Sequence, residues 1–387
     1  MISLIPFELK KIFKKKSSFI AMIIAFLILL ALSYPSFYNN QVTGSSSDPD
    51  YGRAAIAQNR RIAEEHTGYL TDELVNRITN DYAQNIGDFK KRRFYDIFSF
   101  DTISHFVPGS SKILQSTYQS DTPLHFDDAR LKSQEELGSA HPLSQYKLGN
   151  YAPWNQLYEM LNSAFVTVVL LIFFLCSPLF SGETSKKMNQ LLLATKFGRK
   201  QLTFSKLTCL FIIATLIYAL VTGGILLVFA NYYGFSGWDT SVQMNLFWIN
   251  LTENILAFPE SMNLLQTLLY LLALQYACLL FAIGLLSFIS SHTKNSLTTF
   301  ATSTLLYLIP YFLLNIFPDG MVNKLLILTD MTTLSPANTL LKLSNHQGFF
   351  LEHFTRNSML LLSFRLVGFL VLTYLTYLHL KRKQVDA

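Results

Sequence analysis

Charge is the scarcest ingredient of this sequence. Asp, Glu, Lys and Arg make up 14% of its 387 residues while apolar types make up 50%, whereas soluble domains are roughly one quarter charged. That imbalance excludes an ordinary water-facing globule for most of the chain and points to a bilayer as its solvent. Cysteine is rarer still. Its three copies, Cys176, Cys209 and Cys278, all fall in apolar blocks, so no disulfide framework can be argued and they read as small packing residues. Several motifs are missing as well. There is no GxxxxGK phosphate loop, no H-E-x-x-H and no G-x-S-x-G, so no ATP hydrolysis by this chain, metalloprotease or serine hydrolase is expected. His66, His105, His125 and His141 are scattered. Glu64 and Glu65 beside His66 diverge on a helix, which makes them a solvated face rather than a site.

What is present is apolar sequence in long blocks. A helix crossing hydrocarbon needs about 20 mostly apolar residues, and six stretches qualify: residues 19–38, 160–180, 207–230, 264–290, 296–317 and 358–380. The net charge of +6 is concentrated beside these stretches, as membrane orientation requires, and not in a patch for nucleic acid. Lys10, Lys11, Lys14, Lys15 and Lys16 precede the first span. Lys186, Lys187, Lys196, Arg199, Lys200 and Lys206 separate the second from the third, Lys294 lies between the fourth and fifth, and Lys381, Arg382 and Lys383 follow the sixth. Residues 231–263 contain Asp239, Glu253 and Glu260 but no lysine or arginine. The rule that basic loops stay inside therefore places both termini in the cytoplasm. The rival reading of the first stretch is a cleaved signal peptide ending near Ala31-Leu-Ser33, against which stand its long basic start and the consistent topology of an uncleaved helix.

The expected fold is an all-α polytopic membrane protein with six transmembrane helices. The chain divides into an amphipathic cytoplasmic segment (1–17), the first span (18–38), a mainly helical extracytoplasmic domain (39–157), and spans two to six (158–387). Within the external domain, residues 43–50 read as a flexible turn. Residues 54–85 carry apolar side chains at three- and four-residue steps and read as helices. Residues 88–119 read as a further mixed helical region and 142–153 as a return loop. Two segments, 242–258 and 325–343, are too polar or broken for spans and read as interfacial or re-entrant helices at the outer mouth.

The cytoplasmic loop 182–206 reads GETSKKMNQLLLATKFGRKQLTFSK. Met188, Leu191, Leu192 and Thr195 share one face of a short helix that Phe197-Gly198 ends. On its own this is an amphipathic helix at the membrane surface, its lysines near anionic headgroups. The loop also resembles that of the membrane permeases of type-two ABC exporters. In that family an acidic residue follows the second span, a leucine pair comes next, and a basic residue precedes the lysine of the third span. Here these look like Glu183, Leu191-Leu192, Arg199 and Lys206, with Lys187 beside them, and residues 6–13 (PFELKKIF) look like the family's elbow helix. The resemblance implies a coupling helix that docks on a separate ABC ATPase subunit, which would bind ATP and Mg. It also implies a second permease copy, the same or related, and residence in the cell membrane. The chain itself would hold no cofactor.

One ionisable residue lies clearly inside a span. Arg365 is seven residues into the sixth stretch, about 10 Å deep at 1.5 Å per residue. It either snorkels to the surface, pairs with Glu159 at the start of the second span, or faces a substrate path as an outer gate. The near absence of other intramembrane charges weighs against an ion-coupled secondary carrier. The alternatives to an exporter of an amphipathic, peptide or lipid-like substrate are a non-transporting membrane sensor or immunity protein with a ligand-capturing external domain, and a secondary transporter.

Overall fold

Inside hydrocarbon every backbone N–H and C=O must find a partner within the chain, so apolar stretches of this length fold as helices. A computed structural model describes residues 4–39, 41–44, 49–84, 96–120, 122–185, 201–250 and 253–382. Among them are six helices long and apolar enough to cross a membrane: Lys16–Asn39, Ala152–Ser185, Gln201–Tyr233, Leu264–His292, Ser296–Ile316 and Phe354–Arg382. They are referred to below as the first to sixth spans. The second and fourth are 61% and 67% buried over their most apolar stretch, and the first is 11% buried. The second and fourth are therefore the centre of the bundle, and the others turn large apolar side chains outward. An apolar cluster holding Ile12, Leu179, Leu286 and Leu380 puts the start of the chain and the end of the sixth span at one end of the bundle.

The fourth and sixth spans pack along much of their length. A Cβ added at Gly284 would sit 3.2 Å from the Phe369 backbone, and one at Gly368 would sit 2.7 Å from the Phe281 ring. Small residues let these helices approach as they do at many membrane helix interfaces. Polar contacts mark both ends of the seam, with Tyr270 Oη 3.0 Å from Ser358 Oγ and Ser287 Oγ 3.2 Å from Thr376 Oγ1.

The second span is interrupted just before Pro178, leaving helices Ala152–Cys176 and Pro178–Ser185. Proline has no N–H to give to the carbonyl of Phe174, and it clashes with that carbonyl. The Ser177 hydroxyl donates to the Phe174 carbonyl instead (3.2 Å). Ser290 of the fourth span supports the break from across the interface. Its hydroxyl donates to the Ser177 carbonyl (2.9 Å) and accepts from the Phe180 amide (3.2 Å).

The domain between the first two spans is mainly helical, with helices Gly52–Glu65, Asp72–Gln84, Ile97–Phe106, Ser110–Gln119 and Gln134–Leu137. Two short antiparallel pairs brace it: Val42–Gly44 with Pro49–Tyr51, and Gly68–Tyr69 with Lys147–Leu148. Its core residues Leu70, Val75, Ile103 and Leu148 belong to one apolar cluster with Trp154, Phe229, Tyr233 and Leu264 at the span ends. Domain and bundle thus share a core. A hydrogen bond crosses the same boundary, Arg60 Nη2 of the domain donating to the Tyr232 carbonyl at the end of the third span (3.1 Å), and the span ends are tied to each other, the Tyr233 hydroxyl donating to the Phe37 carbonyl (2.6 Å).

The two semi-apolar segments differ in outcome. Residues 325–343 lie in a helix-break-helix, Gly320–Thr329 followed by Pro336–Leu343, with Pro336 in the first turn of the second helix, where its missing N–H is no loss. Residues 242–258, expected as an interfacial or re-entrant helix, do not form one continuous helix. They form three 3₁₀ turns, Val242–Met244, Leu246–Trp248 and Ile255–Ala257. Their apolar side chains pack inward with the domain core. The Ala140 amide donates to the Leu256 carbonyl (2.8 Å) and Asn254 Nδ2 to the Leu137 carbonyl (2.8 Å). This segment is a lid of the intervening domain, and its apolar residues cover that domain's core.

The seam between the fourth and sixth spans yields a contrast. Gly284→Val is expected to lower stability by about 1–3 kcal/mol through overpacking. Gly223→Val, where an added Cβ meets nothing within 4 Å, should change it by less than about 0.5 kcal/mol. Thermal unfolding of the purified protein in neutral detergent distinguishes them, and equal effects would contradict the close approach.

Candidate functional site

Four ionisable side chains meet at the end of the bundle that carries the chain's start. The helix Leu4–Phe13 places Glu8 and Lys11 one turn apart on one face. The last turn of the second span contributes Glu183, and the first turns of the third contribute Lys206. Glu183 accepts from both lysines, Oε1 from Lys11 Nζ at 2.7 Å and Oε2 from Lys206 Nζ at 2.5 Å. Lys206 Nζ also donates to the Leu179 carbonyl (2.6 Å), beside the break at Pro178, and lies 5.3 Å from the centre of the Phe180 ring. Glu8 completes the group, 3.7 Å from Lys11 Nζ.

Lys206 is 1% exposed and Glu8 2%, while Glu183 is 6% exposed. Removing such charges from water costs several kcal/mol per ion, and their attraction repays it only when the geometry is close and the remaining donors are used. Two acidic and two basic side chains balance in formal charge. Its effect is to fix three chain segments against one another. It also fixes both ends of the loop 186–200, whose residues Lys187, Leu191, Leu192 and Arg199 lie outside the described residues. Of the residues that the family resemblance singles out, Glu183 and Lys206 are therefore in direct contact. Glu8 and Lys11 were not singled out as site residues, although their three-residue spacing on an amphipathic helix was a usable signal.

Arg365 does not pair with Glu159. Glu159 is exposed and accepts from Asn155 Nδ2 (2.8 Å), one turn earlier on its own helix. The sixth span begins at Phe354, so Arg365 lies eleven residues in, about 16 Å along the axis. There it is 3% exposed and does not snorkel out. Its Nη2 donates to the carbonyl of Asp330 (2.6 Å) and, more weakly, to that of Ile327 (3.4 Å). Those carbonyls close the helix Gly320–Thr329, whose last turn has no intrahelical donors and carries the negative end of the helix dipole. A helix end, and not a carboxylate, is what holds this cation.

A second group of titratable residues lies in the intervening domain. Asp96 Oδ1 accepts from the Ser99 amide (3.0 Å) and caps the helix Ile97–Phe106. Asp101 Oδ2 accepts from the Tyr151 hydroxyl (3.0 Å). Burial pushes both carboxyls above their ordinary range. His66 is paired with Asp81 (Nε2 to Oδ2, 3.0 Å), while Glu64 turns away to accept from Ser236 Oγ (3.1 Å). Among the described residues no group of three or more His, Cys, Asp or Glu is arranged to hold a metal ion. Comparison with protein-family models, curated proteins and solved structures gives no match.

Two measurements test these arrangements. Glu183→Gln leaves the buried Lys206 without its carboxylate and is expected to cost about 3–5 kcal/mol; Lys206→Met, which leaves Glu183 its bond from Lys11, should cost less, and adding it to Glu183→Gln should recover much of the loss. Additive losses in a thermal-unfolding cycle would refute the coupling. For Asp101 the folded pKa is raised, so ionising it opposes folding. That cost is absent below the ordinary carboxylate range and grows as pH rises through the folded value. Asp101→Asn, which keeps an acceptor for Tyr151, should raise the unfolding midpoint at neutral pH and lose the advantage as pH falls to about 4. A gain independent of pH would show that the charge is not the cause.

Proposed function

We propose that this chain is the membrane-spanning permease subunit of an ATP-driven exporter of the type-two ABC kind. It works with a separate ATPase and a second permease copy in the cell membrane. The observation that carries the reading is the buried contact of Glu183 with Lys206 and Lys11. It anchors both ends of the basic, leucine-containing loop 186–200 to the bundle, so that a push on the loop is delivered to the second and third spans. Leu191, Leu192 and Arg199 meet the ATPase, and Lys187 lies beside them. The basic segments at this end of the bundle support a cytoplasmic orientation, within reach of a soluble partner. The domain between the first two spans is then extracytoplasmic. The substrate is amphipathic, a peptide or a lipid-like molecule, in keeping with spans that carry almost no charge.

A second reading, a non-transporting sensor or immunity protein, has one observation in its favour. A cavity of about 160 Å³ opens in the intervening domain beside Gln41, Asn59, Asp96, Phe98, Asn150 and Phe247. Its mixture of carboxamides and aromatic rings suits capture of a small polar ligand.

Co-expression of the tagged chain with candidate ABC ATPases of its own genome separates the two. The wild-type chain is expected to retain the ATPase through purification. Leu191→Ala with Leu192→Ala should lower retention at least about tenfold, as loss of buried interface anchors does, with membrane abundance unchanged. Undiminished retention would remove the assigned docking role, and no ATPase bound by the wild type would favour the sensor.

A further inference from the structure

Arg365 is bound on one side only. Its Nε and Nη1 are buried and have no hydrogen-bond partner, although a guanidinium carries five donors. A buried donor of a charged group left unpaired costs more than the 1–3 kcal/mol of a neutral one, so the site as it stands is incomplete. Arg365 lines a cavity of about 80 Å³ enclosed by the fourth, fifth and sixth spans and the two helices Gly320–Thr329 and Pro336–Leu343. Lys342 lines it too. Its Nζ donates to the Pro318 carbonyl (2.6 Å) and Asn323 Oδ1 (3.0 Å), both neutral acceptors.

The one carboxylate in the lining is Asp330. Its Oδ1 accepts from the amide and the hydroxyl of Thr332, at 3.0 and 2.9 Å. No ion pair within 4.0 Å joins it to Arg365 or Lys342 among the described residues. Two cations against one carboxylate leave the cavity net positive, with donors from Tyr311 and Asn338 also in its wall.

We propose that Arg365 and Lys342 bind the phosphate group of a phospholipid in this cavity, at the end of the bundle that carries the intervening domain. A phosphodiester offers several oxygens to a guanidinium fork and a lysine together. The cavity has room for a handful of water-sized groups and thus for the phosphate rather than a whole lipid. The acyl chains have a place outside it. The fifth span supplies Tyr311 and Leu314 to the wall, and its neighbouring residues Phe312 and Ile316 are exposed. A lipid seated there holds the Gly320–Thr329 helix to the sixth span from the side that Arg365 leaves open. The inference does not depend on transport.

The test uses the full chain purified in a neutral detergent and stripped of lipid, with the unfolding midpoint as readout. Dioleoyl phosphatidylglycerol is expected to raise the midpoint of the wild type by about 3–5 °C near saturation. Dioleoylglycerol, which lacks the phosphate, should not. Arg365→Gln should abolish most of the shift, and Lys342→Gln, at the cavity rim, should raise the half-effective lipid concentration roughly tenfold. A shift from inorganic phosphate equal to that from the lipid would support the anion site and overturn the lipid as its source. An equal response to dioleoylglycerol would overturn the proposal. So would a Lys342→Gln curve that superimposes on the wild type, a comparison that stands even where Arg365→Gln fails to fold.

Discussion

Glu183 is the point on which the cytoplasm-facing arrangement proposed here depends. Its carboxylate is shared between a lysine of the N-terminal helix and a lysine of the third span, and no other described contact ties these three segments together by charge. Water has little access to replace Lys206, which is 1% exposed, whereas Lys11 stands at the partly open edge of the group. The break at Pro178 contributes directly, since the Leu179 carbonyl beside it takes a hydrogen bond from Lys206. Proline, carboxylate and lysine therefore form one local solution to the end of a membrane helix.

The spans were the most legible part of the sequence because hydrocarbon imposes a single test, about 20 apolar residues in a row. Ends were less legible. The second helix starts at Ala152 and the sixth at Phe354, each several residues before its apolar stretch, because polar residues at a span end still pack against the intervening domain. The segment 242–258 was misread since its apolar residues follow no helical period. They fill a core from short turns, and only tertiary structure says which core. The charge cluster was half legible. Glu183 and Lys206 stood out by resemblance, but nothing local says that Lys11 reaches a carboxylate 172 positions away.

Arg365 shows the same limit from another direction. A lone arginine in an apolar span invites a search for an acidic partner, and Glu159 was the nearest in expected depth. The partner is a backbone instead. Helix ends are invisible to residue-type reasoning because any amino acid supplies the carbonyl, and the sequence of 320–330 gives no cue that its last turn faces the sixth span. Polar accounting inside a membrane has to include the main chain.

The shared core between the intervening domain and the span ends has a mechanical meaning. Trp154, Phe229, Tyr233 and Leu264 belong to the same packed cluster as Leu70 and Ile103, and the 242–258 lid joins that cluster from the connection between the third and fourth spans. Among the described residues the domain and the span ends are joined through packed side chains. Displacing the domain would therefore have to repack that core or carry the second, third and fourth spans with it.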